Sequence, residues 1–97
     1  MRISVRFFTM LREITGKREE TLTFPNNKPT TVNTVLKQLA KEHGKDLTEY
    51  IYDTETGEAK GFLQFLINGR SINTPNLLET KLSDGDVLAI IPPVGGG

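Results

Sequence analysis

The sequence predicts an α+β domain with one mixed sheet of four to five strands, one main helix covering one face of it, and a flexible C-terminal tail. Three observations carry this reading. Stretches near both ends alternate apolar and polar residues with the period of a half-buried strand. One stretch in the first half repeats apolar residues with the period of a helix, and the chain closes on Pro92-Pro93-Val94-Gly95-Gly96-Gly97. Ninety-seven residues suffice for one core but not for two.

In Arg2-Ile3-Ser4-Val5-Arg6-Phe7-Phe8, the residues Ile3, Val5 and Phe7 share one face, and Phe8 falls on the polar parity. Thr9 to Thr15 reads as a short helical turn or structured loop ended by Gly16. Glu20 to Phe24 alternates again, with Leu22 and Phe24 together, and makes an antiparallel partner for the first strand. Pro25-Asn26-Asn27-Lys28-Pro29 is loop by composition. Thr31 is placed to cap a helix whose Val32, Val35, Leu36, Leu39 and Ala40 fall at i, i+3, i+4, i+7 and i+8, and Gly44 stands where that helix should stop. One apolar stripe requires one sheet face to cover.

Asp46 to Tyr52 can form a second short helix with Leu47, Tyr50 and Ile51 inward, whereas Asp53 to Glu58 lacks periodicity and reads as exposed loop. Phe62 to Ile67 is a third strand, and Asn68-Gly69 is the turn into a short return strand, Arg70 to Ile72. Leu77, Leu78 and Leu82 plug the core from a connecting segment, Ser83-Asp84-Gly85 turns the chain, and Asp86 to Ile91 is the last strand, stopped by Pro92. The first and last strands are the most apolar, which suits the sheet centre, side by side. Elements in this order describe the ubiquitin-like β-grasp, with a domain over 1–91 and a tail over 92–97.

Composition narrows the chemistry. Twelve basic and twelve acidic side chains cancel, so no nucleic-acid footprint or attraction to an anionic membrane is expected. Absence of cysteine removes disulfides, thiolate nucleophiles and Cys-based metal sites, and one histidine cannot build a His cluster, so no metal site is expected. No signal-peptide core or membrane-length apolar run is present, and a cytoplasmic protein is the expectation. His43 is read as a partner of the helix C-terminus. Glu42, Asp46 and Glu49 are read as a solvated helix face, and Asp53, Glu55 and Glu58 lack the spacing of a calcium loop.

No nucleophile, base or metal set emerges, which turns attention to the tail. Its three glycines put no side chain near the terminal carboxylate, so Gly97 can enter a cleft too narrow for a Cβ. Pro92 and Pro93 remove two donors and favour an extended exit, from which six residues reach about 20 Å. Gly97 is thus the candidate reacting group, with Pro92, Pro93, Val94, Gly95 and Gly96 giving it position and access.

Arg6-Phe7-Phe8 followed by Leu11-Arg12-Glu13, the Asn68-Gly69 turn, Leu82-Ser83-Asp84-Gly85-Asp86-Val87 and the ending Ile91-Pro92-Pro93-Val94-Gly95-Gly96-Gly97 together resemble the MoaD-like family over nearly the whole chain. That family includes the small subunit of molybdopterin synthase, and its relatives include the ubiquitin-related modifier and archaeal small modifier proteins. Gly95 departs from the Ser, Thr or Ala often found there, while the terminal Gly-Gly is kept. The resemblance implies a carrier that binds no cofactor itself. An ATP- and magnesium-dependent adenylyltransferase of the ubiquitin-activating type would form an acyl-adenylate at Gly97, and a sulfurtransferase system would convert it to a thiocarboxylate. Acceptors implied by the family are the large subunit of molybdopterin synthase or a tRNA thiolase. Two alternatives stand beside this: a modifier joined through Gly97 to target lysines, and a non-reactive interaction domain.

Parity also marks a docking face for such partners. If Ile3, Val5, Phe7, Leu63, Phe65, Leu88 and Ile90 face the helix, the other face carries Phe8, Phe62, Leu66 and Ile91 with Arg6 near them.

Overall fold

In the computed structural model, which describes residues 1–72 and 74–93, the alternation of β1 (Arg2–Phe7) becomes a buried face of Ile3, Val5 and Phe7 and an opposite face of Arg2, Ser4 and Arg6. β2 (Glu19–Thr23) pairs antiparallel with it, from Arg2↔Thr23 to Arg6↔Glu19. The connection carries α1 (Met10–Thr15), which Gly16 ends at φ 73° with its N–H donating to the Arg12 carbonyl at 2.8 Å. Phe8 lies just outside β1, and Thr9 after it takes φ 47°, a strained setting for a β-branched residue.

α2 (Val32–His43) begins in a reciprocal cap. The Thr31 hydroxyl accepts the Thr34 N–H at 3.2 Å, and the Thr34 hydroxyl accepts the Thr31 N–H at 3.1 Å. Gly44 closes the helix at φ 82°, ψ −157°, a conformation essentially reserved for glycine, and leads directly into α3 (Lys45–Ile51). β3 (Gln64–Ile67) and β4 (Arg70–Ile72) form a hairpin in which Asn68 and Gly69 both have positive φ, as a tight type I′ turn requires. A 3-10 turn at Leu77–Glu79 then precedes β5 (Val87–Ile91).

The strands lie in the order β2-β1-β5-β3-β4. β1 and β5 are parallel neighbours, and the other pairs are antiparallel. This is the ubiquitin-like β-grasp. Its core forms on one side of the sheet, where Ile3, Val5, Phe7, Phe65, Leu88 and Ile90 join Val32, Val35, Leu36 and Leu39 of α2. Leu11, Leu47, Ile51 and Leu82 fill its margins. Each such side chain, when fully buried, contributes about 1.5–3 kcal/mol before entropy is counted.

The second strand and the two short helices shift by a single residue against the sequence expectation, and two further boundaries differ for a visible reason. The third strand begins at Gln64 rather than Phe62, because the chain turns first, with the Leu63 N–H donating to the Lys60 carbonyl at 3.1 Å. The last strand begins at Val87 rather than Asp86, because the Asp86 carboxylate is engaged in the turn, accepting from the Ser83 N–H at 2.7 Å.

Candidate functional site

The site is built around β5. Leu88 and Ile90 point into the core, so the period of two leaves Val87, Ala89 and Ile91 half-buried on the face that no described helix covers. Register then selects their neighbours. Arg6 of β1 and Leu66 of β3 flank Ala89 on its two sides, Ser4 lies beside Val87, and Gln64 is opposite Ile91. One row of side chains, Glu19, Arg6, Ala89, Leu66 and Ser71, therefore crosses all five strands. The result is an apolar stripe of Val87, Ala89, Ile91 and Leu66 between Arg6 and Gln64, with the Gln64 amide donating to the Ser71 hydroxyl at 3.3 Å.

Phe8 stands one residue beyond the last β1–β5 pair, Phe7↔Ile90. Arg12 holds this corner by donating from Nε to the Phe7 carbonyl at 2.9 Å and placing its guanidinium 5.3 Å from the Phe8 ring centroid. Phe62 does not belong to the stripe. It lies in the turn before β3, 49% exposed, with its ring 5.9 Å from Tyr50 of α3 and 5.8 Å from the Lys60 ammonium. Parity placed it beside Leu66 only because the strand was extended two residues too far.

Pro92 is buried and Pro93 exposed at the end of β5. Val94, Gly95, Gly96 and Gly97 lie outside the described residues. At the opposite end of β5, turn residues fix the strand in place. Asn68 donates to the Asp86 carboxylate at 2.9 Å and accepts the Val87 N–H at 2.9 Å, and Asp84 accepts the Arg2 N–H at 2.7 Å. The Asn-Gly and Asp-Gly-Asp segments thus tie the central strands together.

A second constellation escaped the sequence reading. Glu20 on the inward parity of β2 meets Glu42 and His43 at the end of α2, and one ligand atom from each lies within 4.8 Å of the others. Nε2 of His43 is 2.9 Å from the Glu20 carboxylate, and Lys17 Nζ is 3.5 Å from the same oxygen. Burial pushes the Glu20 carboxyl up, but hydrogen bonding with Glu42 and His43 and the Lys17 charge outweigh it and hold it below 4.5. Sharing a hydrogen bond with Glu20, and then burial, push Glu42 the other way. Glu42, Asp46 and Glu49 are not one solvated face: Glu42 belongs to this cluster and to α2, while Asp46 and Glu49 lie on α3, where Lys45 reaches Glu49 at 3.7 Å. The available signal was a glutamate on the same strand parity as Leu22 and Phe24.

Tyr52 caps α3 and donates to Asn33 at 2.8 Å, its phenol pushed up to about 12 by burial. No described helix is long and apolar enough to cross a membrane.

The ThiS family profile matches residues 5–97. Small archaeal modifier protein 3 of Haloferax volcanii is 33% identical over 97 residues, covering all of both chains. A candidate sulfur carrier protein of Archaeoglobus fulgidus is 36% identical over 67 residues, 69% of this chain and 74% of that one. The crystal structure of SAMP1 from Haloferax volcanii superposes with a TM-score of 0.81 at 26% identity, covering all of both chains.

Proposed function

The chain belongs to the ThiS family of ubiquitin-like sulfur carriers and modifiers, and on that premise we propose that its Gly97 carboxylate is adenylated by an ATP- and magnesium-dependent partner and converted to a thiocarboxylate. A carboxylate is a poor electrophile, so attack on the α-phosphorus of ATP first forms the acyl-AMP anhydride and expels pyrophosphate. A sulfide-level donor then attacks the acyl carbon and AMP leaves, exchanging one oxygen for sulfur. The observation that supports this most is the placement of Pro92 and Pro93 at the end of β5, between β1 and β3 and beside the stripe of Ala89, Ile91 and Leu66. That stripe gives an adenylating enzyme a surface to grip while the glycines enter its cleft. The thiocarboxylate would deliver sulfur to molybdopterin synthesis, through the large synthase subunit, or to tRNA thiolation.

Incubation with an adenylating enzyme of this family, ATP-magnesium and a sulfide donor should raise the intact mass by one oxygen-to-sulfur exchange. An unchanged mass, under conditions where the same enzyme charges its own carrier, would overturn the proposal. The full-length likeness to a protein named as a modifier favours a second use of the same activated carbonyl, an isopeptide bond with a target lysine. Tryptic peptides whose lysine carries the remnant Leu82–Gly97, the segment that follows Lys81, the last basic residue, are its expected product, and their absence under conditions that conjugate the relative would exclude it.

A further inference from the structure

Away from the stripe and on the other face of the sheet, Glu20, Glu42 and His43 converge from elements 22 residues apart in sequence, counting from Glu20 to Glu42. Glu20 is unusual because its side chain is only 9% exposed on the helix-facing side of an edge strand, where its parity neighbours are Leu22 and Phe24. A buried carboxylate is costly unless cationic or hydrogen-bonding groups surround it. Here they include the imidazole of His43, also largely buried at 13% exposure, and the half-exposed ammonium of Lys17. A second carboxylate, Glu42, is drawn to the same point and held from its own helix by Gln38, whose amide donates to it at 3.2 Å. Two carboxylates and a histidine so placed offer two hard oxygens and one borderline nitrogen, the donor types of zinc sites with three protein ligands and a water.

We propose that Glu20, Glu42 and His43 form a binding site for a divalent transition-metal ion, Zn²⁺ being the ion their donor set fits. A tetrahedral ion at about 2.0–2.1 Å from each ligand separates them by about 3.3 Å, so Glu20 and His43, now 2.9 Å apart, open slightly around the ion while the exposed Glu42 adjusts to complete the set. Lys17, on a flexible stem, yields its place at Glu20. The ion would join edge strand β2 to the C-terminal end of α2, two strands from β5 and on the opposite side from the apolar stripe. Its presence is independent of the chemistry at Gly97.

Calorimetric titration of the full, chelator-treated chain with Zn²⁺ alone should show saturable binding of one ion in the micromolar range. Co²⁺ should give the intense visible bands of a tetrahedral site, which Zn²⁺ abolishes. Glu42→Gln and His43→Gln should each weaken binding by at least the about tenfold that loss of even an outer-shell partner costs. Circular dichroism should show both variants folded; should His43→Gln fail to fold, the exposed Glu42→Gln decides alone. Absence of saturable binding at millimolar Zn²⁺, or equal binding by Glu42→Gln and the parent, overturns the site.

Discussion

At the scale of single residues, the opposed behaviour of Glu20 and Glu42 has a measurable consequence. Glu20 is held below its ordinary range, so it stabilises the fold above about pH 4.5 and that contribution fades as the pH falls through its lowered value. Glu42 is pushed up, so its contribution has the opposite sign and is lost as the pH rises through the raised value. In metal-free protein, Glu42→Gln should raise the melting temperature at pH 7 by about 1–2 °C, a small gain because the side chain is exposed. Below about pH 4.5 the difference should vanish, and a gain that persists in acid would refute this account. Thr9 tests backbone strain in the same spirit. Thr9→Gly relieves the φ of 47° and should stabilise by up to about 1 kcal/mol in urea unfolding, against the usual penalty for a glycine. Neither effect was legible beforehand, because Glu20 and His43 meet only after the sheet and helix pack. His43 alone reads as a companion of the helix end.

At the scale of elements, the periodic segments and the Asn68-Gly69 turn were legible, and the start of the third strand was not. β1 and α2 follow from alternation and from the Thr31 to Gly44 frame, because their burial is one-sided and leaves a regular pattern. The apolar run from Phe62 carries no such pattern, and a turn stabilised by a local backbone bond is indistinguishable there from a strand end. This matters for the candidate docking surface, since it moves Phe62 away from Leu66. Leu66→Asp should raise KM for the adenylating enzyme about tenfold or more while leaving the melting temperature within a few degrees. Phe62→Ala should leave KM unchanged. The reverse ranking would place the partner against α3 instead of the sheet.

At the scale of the whole molecule, topology was legible because the two most apolar strands claimed the centre, and pairing of β1 with β5 follows. The tail is read from composition alone, and its last four residues lie outside the described residues. Among the described residues the buried hydrophobic cluster runs from Ile3 to Ile90, so removal of Gly96 and Gly97 should leave the melting temperature within about 1 °C and abolish the oxygen-to-sulfur exchange. A large fall in melting temperature would assign those glycines a structural task.

Placing β5 between a parallel and an antiparallel neighbour has a mechanical consequence. An enzyme that draws on the tail pulls along the axis of β5, and the bonds to β1 and β3 on both its edges bear that load together in shear. Peeling, in which bonds break one after another, is not open to a strand held on both sides. Force applied at the C-terminal end should therefore meet a stiff body, so that work done on the tail goes into threading it and not into unravelling the domain behind it.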